Sequence, residues 1–222
     1  MTLPFDIVGF DLDGTLLDTS ADLAAAVNHA LALAGRPPLS PDQVKPMIGL
    51  GAKHMLAEGL AATGGDPPQG FRPLYKDMLR FYEANVAVAT RPYDGALAAL
   101  DTLAGQGVKL AIVTNKFEAL AVKLLDALGL MPRFGTVIGG DTLGPGNAKP
   151  SPAPIHTMIA RLGGGRAVFV GDSIYDMQAA RAAGIPAIAV SFGFIHGTVE
   201  ELRADAVIDH YDALVPTLGA LG

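Results

Sequence analysis

Phe10-Asp11-Leu12-Asp13-Gly14-Thr15 sets two carboxylates two residues apart, just after a largely apolar run from Phe5 to Phe10. That run predicts a short buried strand. In extended backbone the residue between them alternates, so Asp11 and Asp13 share one side. Two carboxylates about 4 Å apart repel by roughly 4 kcal/mol at an effective dielectric of about 20. A metal ion, a proton or a catalytic task must offset that cost. Gly14 lets the chain bend away without a Cβ penalty. Taken alone, the same residues also fit a strand followed by an Asx-rich turn.

Three later segments repeat the placement. Thr114-Asn115 follows Leu110 to Val113, a second buried-strand pattern. Lys149 sits in Asn147-Ala148-Lys149-Pro150-Ser151-Pro152, a loop that opens a helix with proline near its start. Gly171-Asp172-Ser173-Ile174-Tyr175-Asp176 follows Ala167 to Val170 and brings two more carboxylates to a strand end. The carboxyl ends of parallel strands are where open α/β sheets hold their ligands. Each segment alone has a plain structural explanation. Together they bring Asp, Thr, Lys and Asp pairs to successive strand ends.

The elements that must position these residues alternate. Strands are predicted over Val108 to Val113, Phe134 to Ile138, Ala167 to Val170, Ala187 to Val190 and Ala206 to Ile208. Helices are predicted over Ala96 to Leu103, Phe117 to Leu128, Pro154 to Leu162, Tyr175 to Ala183, Val199 to Leu202 and Tyr211 to Leu218. This alternation implies an α/β fold with a doubly wound, mostly parallel, Rossmann-like sheet covered on both faces. Between the first strand and Arg91 no strand stands out. Ser20 is placed to cap a helix with Leu23, Val27 and Leu31 at four-residue spacing. Ser40-Pro41 opens a second helix, Ala52 to Ala62 forms a third, Gly64-Gly65-Asp66-Pro67-Pro68 is a loop, and Phe71 to Val86 forms a fourth. The expected organisation is a core of residues 1–16 and 89–222, with an all-helical insertion over 17–88.

Composition narrows the classes. The chain has 222 residues, enough for a core plus a small insert, and a formal net charge of −6 with no basic run. That argues against a nucleic-acid partner. No apolar run approaches the ~20 residues of a membrane span, and the N-terminal residues have no signal-peptide pattern, so a cytoplasmic protein without a membrane partner is expected. There is no cysteine, which removes disulfides, thiolate catalysis and zinc–cysteine sites. A negatively charged protein that takes an anionic ligand must concentrate positive charge locally. Gly144-Pro145-Gly146-Asn147-Ala148-Lys149 matches a P-loop only in part, because Pro150 replaces the Ser/Thr after the lysine. The five histidines lack ligand spacing, and His29 reads as structural.

Asp11-Leu12-Asp13-Gly14-Thr15, Thr114-Asn115, Lys149 and Gly171-Asp172-Ser173 through Asp176 together resemble the four motifs of the haloacid dehalogenase superfamily, across nearly the whole chain. Ile48-Gly49-Leu50-Gly51-Ala52, Val113-Thr114-Asn115-Lys116, Gly139-Gly140-Asp141, Lys149 through Pro154 and Phe192-Gly193-Phe194 are similar to its phosphoglycolate phosphatase-like branch. The resemblance implies a phosphate monoester hydrolase working through an aspartyl-phosphate, with a small phosphorylated metabolite, 2-phosphoglycolate first, as substrate. It implies Asp11 as nucleophile and Asp13 as general acid and base. It implies Mg²⁺ held by the Asp11 side chain, the Asp13 main-chain carbonyl and Asp172. Lys149 and Thr114 would serve the transferring phosphoryl group, and Asp176 would position Lys149 or a metal-bound water. The helical insertion would be a cap. Asn115, Lys116, Lys53 and Lys45 are the candidates for substrate contact. Dehalogenase members lack an acid at the position of Asp13, so its presence points to phosphate chemistry. Other phosphatases (of phosphosugars or pyrophosphate), a phosphoglucomutase-like enzyme and a non-catalytic phosphometabolite binder are the alternatives.

Overall fold

The computed structural model describes residues 3–65 and 70–222. Six strands form one parallel sheet: β1 Ile7–Phe10, β4 Lys109–Val113, β5 Thr136–Ile138, β6 Ala167–Gly171, β7 Ala187–Val190 and β8 Ala206–Ile208. Their order is β5-β4-β1-β6-β7-β8. The first strand is thus central, with Val8 opposite both Leu110 and Val168. The chain builds outward on one side of β1 and then restarts on the other. This leaves a crevice at the carboxyl end of β1, the place where doubly wound sheets bind ligands.

Apart from Lys109 and Thr136, which begin β4 and β5, the strands are apolar, because both faces of the sheet are covered. Val8, Phe10, Leu110, Ile112, Val168 and Val170 pack on one face. Ile7, Ala111, Val113 and Phe169 alternate to the other. Helices α5 Ala96–Gly105, α6 Glu118–Ala127, α7 Ala153–Arg161, α8 Ile174–Ala182 and α9 Leu214–Ala220 belong to this part of the chain.

Between β1 and α5 the described residues form four α-helices: α1 Ser20–Leu33, α2 Pro41–Val44, α3 Ala52–Ala62 and α4 Phe71–Ala84. Helix α1 packs against the other three, and His29 stacks on Phe81 with ring centroids 4.5 Å apart. Two short strands, β2 Leu17–Asp18 and β3 Arg91–Pro92, pair antiparallel where the chain enters and leaves this block. The sequence pattern did not signal β2, because two residues carry no periodicity. The buried Asp22 carboxylate accepts hydrogen bonds from the Ala89 and Thr90 amides and from Thr90 Oγ1, tying α1 to the returning segment.

Capping differs from expectation at α1. Ser20 is the first helical residue, not the cap, and its amide and hydroxyl both donate to Asp18 Oδ1. Ser40 caps α2 as expected, in a reciprocal capping box with Gln43. The expected loop over Gly64–Pro68 extends beyond the described residues from Asp66 onward.

Candidate active site

Backbone geometry brings the motif residues to the carboxyl edge of the sheet. β1 ends at Phe10, and the chain turns through Leu12, which is fully buried. The two leading aspartates therefore do not continue an extended strand. Gly14 has φ +83°, a left-handed conformation that costs other residues strain. A Cβ there would lie 2.2 Å from Asp172 Oδ2. Gly193 packs on the other flank of Asp172, with room for no side chain. Asp172 is wedged between two glycines and is 2 % exposed. Its Oδ1 accepts from Thr15 Oγ1 at 3.0 Å and its Oδ2 from the Phe194 amide at 2.6 Å.

Lys149 is buried between two carboxylates. Its Nζ lies 2.8 Å from Asp11 Oδ1 and 2.6 Å from Asp176 Oδ1. The other oxygen of Asp176 accepts from the Ser173 amide and hydroxyl, in a capping box that starts α8. Asp176 is thus committed to the lysine and the helix. Its place in the Ser-x-x-Asp capping pattern was a signal in the sequence that motif reading passed over.

Asp13 is held separately. Lys116 Nζ lies 2.7 Å from both of its oxygens, and both side chains are largely buried. The repulsion expected between Asp11 and Asp13 is thus offset by one lysine for each. Thr114 is buried at the end of β4, and its Oγ1 accepts from the Lys116 amide at 3.2 Å. Asn115 Nδ2 donates to the Lys149 carbonyl and across to the Gly49 carbonyl of the helical block, 3.1 Å each.

These groups line one cavity of about 380 Å³. Asp11, Asp13, Thr114, Asn115, Lys116, Lys149 and Asp172 form its polar floor. The helical block supplies walls that include Leu23, Ile48, Met55, Met78 and Tyr82. Lys53 lines the cavity but is exposed, at its mouth. Lys45 is not brought to the cavity; its ammonium pairs with Asp42 at 3.0 Å on the surface. The turn of a short helix against its neighbours decides that direction, and residue spacing does not encode it.

The carboxylates are short of positive charge. Burial raises Asp11 to about 6 despite the opposing pull of Lys149, with Asp176 and Asp13 pushing it further up. Burial also raises Asp172 well above the ordinary carboxylate range, with Asp11 and Asp176 adding to the effect. Asp11 Oδ1, although ion-paired to Lys149, makes no hydrogen bond of proper geometry. Asp11, Asp172 and Asp176 bring carboxylate oxygens within 4.8 Å of one another; Asp176 is held by Lys149 and Ser173, and Asp11 and Asp172 face the cavity. Such an all-oxygen, electron-rich donor set fits a hard divalent cation.

Among the described residues no helix is long and apolar enough to cross a membrane. A family model described as haloacid dehalogenase-like hydrolase matches residues 8–190. A phosphoglycolate phosphatase of Agrobacterium fabrum is 42% identical over 212 residues, covering 94% of this chain and 90% of that protein. One from Caulobacter vibrioides is 42% identical over 207 residues, covering 92% and 86%. Among solved structures, a predicted phosphoglycolate phosphatase from Haemophilus somnus superposes with a TM-score of 0.89 at 28% identity, covering 96% of this chain and 98% of that one. CbbY from Rhodobacter sphaeroides, in complex with phosphate, superposes with a TM-score of 0.78 at 23% identity, covering 95% and 96%, and shares the fold.

Proposed function

The chain belongs to the haloacid dehalogenase-like hydrolase family, and within it we propose a Mg²⁺-dependent phosphate monoester hydrolase whose substrate is 2-phosphoglycolate. The observation that carries this reading is the Asp11 carboxylate at the end of the central strand. It faces a cavity that also holds Asp13 and two buried lysines. The relatives named phosphoglycolate phosphatase support the choice of substrate.

In this reading Asp11 attacks phosphorus through a carboxylate oxygen. The P–O bond to the leaving alkoxide breaks, and Asp13 delivers a proton to that oxygen. Asp13 then takes a proton from the water that cleaves the aspartyl-phosphate, which returns Asp11 and releases phosphate. Lys149 holds Asp11 in place and meets the charge on the transferring oxygens. Thr114 and the adjacent amides orient those oxygens. Asp176 fixes Lys149 from behind. Mg²⁺, held by Asp11, Asp172 and the main-chain carbonyl of Asp13, would shield the anionic substrate from the carboxylates and stabilise charge during transfer.

Residues 17–88 act as the cap of this site, and the β2–β3 crossing is the place where it would hinge. The cap's apolar walls exclude water around the reacting phosphate, which strengthens every charge interaction on the floor. The glycolate product and phosphate both leave when the cap opens.

The test is phosphate release from 2-phosphoglycolate beside sugar phosphates and pyrophosphate, with Mg²⁺ and with chelator, for the native chain and Asp11→Asn. Metal-dependent kcat/KM highest on 2-phosphoglycolate is expected. Asp11→Asn should lower kcat by at least about 10³-fold while the protein stays folded. Turnover by Asp11→Asn at the native rate would remove Asp11 as nucleophile. Activity spread evenly over the panel would discard the substrate.

A further inference from the structure

Tyr82, in the last turn of α4, interrupts the apolar lining that the helical block gives the cavity. The residue is 4 % exposed, and the O–H of its buried hydroxyl has no acceptor. Phenylalanine would fill nearly the same volume without stranding a hydroxyl, and a buried polar group left unpaired costs stability. An unpaired group of this kind in a binding wall points to a partner that arrives with the ligand.

Lys116 stands beside it, with Nζ 4.7 Å from the centroid of the Tyr82 ring. An ammonium has three N–H donors. Two serve Asp13 Oδ1 and Oδ2 at 2.7 Å each. The third faces the ring and hydroxyl of Tyr82, so the donor left unspent at this point is the phenolic O–H from the helical block. An O–H donor and the positive charge beside it suit a carboxylate. They adjoin Asp13, the group that faces the leaving oxygen in the reaction above, so the carboxylate they receive must lie close to that oxygen along the leaving group. Burial pushes the Tyr82 phenol up, against the opposing effect of Lys116, and keeps it a donor. The other candidate cations are poorly placed: Lys45 is paired with Asp42 outside the cavity, and Lys53 is exposed at its mouth.

We propose that Tyr82 is a specificity-determining residue, whose hydroxyl, set beside the Lys116 ammonium, donates to a carboxylate one carbon from the ester oxygen of the substrate. This assignment rests on the phosphatase reading and sharpens it. It selects short 2-phospho carboxylates over neutral phosphate esters of the same length.

The experiment compares native protein and Tyr82→Phe on 2-phosphoglycolate and on ethyl phosphate, in which a methyl group replaces the carboxylate. The native protein should prefer 2-phosphoglycolate. Tyr82→Phe should lose about 10- to 100-fold in kcat/KM on 2-phosphoglycolate and stay within about twofold on ethyl phosphate. Its melting temperature should stay close to native, because the O–H removed has no acceptor in the free protein. An equal loss on both esters would make Tyr82 structural and overturn the proposal. An undiminished rate on 2-phosphoglycolate would overturn it too, leaving the phosphatase reading intact. If the native protein hydrolyses both esters equally well, the carboxylate substrate and the Tyr82 assignment fall together. If it hydrolyses neither, the phosphatase reading falls.

Discussion

The floor and the roof of the cavity are built on opposite physical plans. On the floor each charged group is held by fixed polar partners: Lys149 lies between Asp11 and Asp176, Lys116 spans Asp13, and Asp172 is clamped by Thr15 and the Phe194 amide. The roof is apolar side chains from α1, α3 and α4, with Tyr82 carrying its buried hydroxyl. Chemistry on a phosphate needs charges fixed to within tenths of an ångström, and dense hydrogen bonding on a rigid sheet edge provides that. Excluding water and choosing a leaving group needs shape and a few donors. A helical block packed largely through side chains can supply these and still move.

The contrast can be broken from the floor first. Gly14→Ala places a Cβ against Asp172 Oδ2 and forces a left-handed residue, so it should cost at least about 100-fold in kcat and about 1–3 kcal/mol of stability. Steady-state kinetics and a denaturant titration check both. A variant with native kinetics would mean that Asp172 has slack the packing does not suggest.

Lys116→Met is the next largest. It leaves the Asp13 carboxylate buried without its partner and should destabilise the protein by about 2–3 kcal/mol. The loss of kcat/KM on 2-phosphoglycolate should be about 30-fold or more. A melt and a rate measurement on the same preparation separate the two effects.

The smallest effect belongs to the roof's outward face. Lys45→Met breaks only an exposed pair with Asp42, so kcat/KM should stay within about twofold and stability within about 0.5 kcal/mol. A tenfold loss would show that Lys45 swings into the cavity when substrate binds, and would bring the roof closer to the floor in character.

Legibility in the sequence follows the same division. The floor was readable because Asp11, Asp13, Thr114, Asp172 and Asp176 come just after buried-strand patterns, where a polar residue has one place to go, and Lys149 stands in a loop that opens a helix. The doubly wound sheet was readable from alternating runs whose apolar residues leave no solvent face. The roof was not. Lys45 and Lys53 are both helix-associated lysines in one chain segment, yet one pairs at the surface and the other borders the cavity. Tyr82 follows Leu74 and Met78 at four-residue spacing, which marks an ordinary buried helix face. Its unpaired hydroxyl has no sequence signature.

Local order along the chain determined the family, the alternation of strands and helices and the residue types that stand at the strand ends, because strand, turn and helix patterns are written in nearest neighbours. Tertiary structure alone decided that Asp13 belongs to Lys116 and Asp11 to Lys149, that Gly14 and Gly193 enclose Asp172, and that Tyr82 closes over Lys116. Those pairings join residues 21 to 158 positions apart. They depend on how the helices rotate against the sheet, a quantity set by packing across the whole core and not by any one segment.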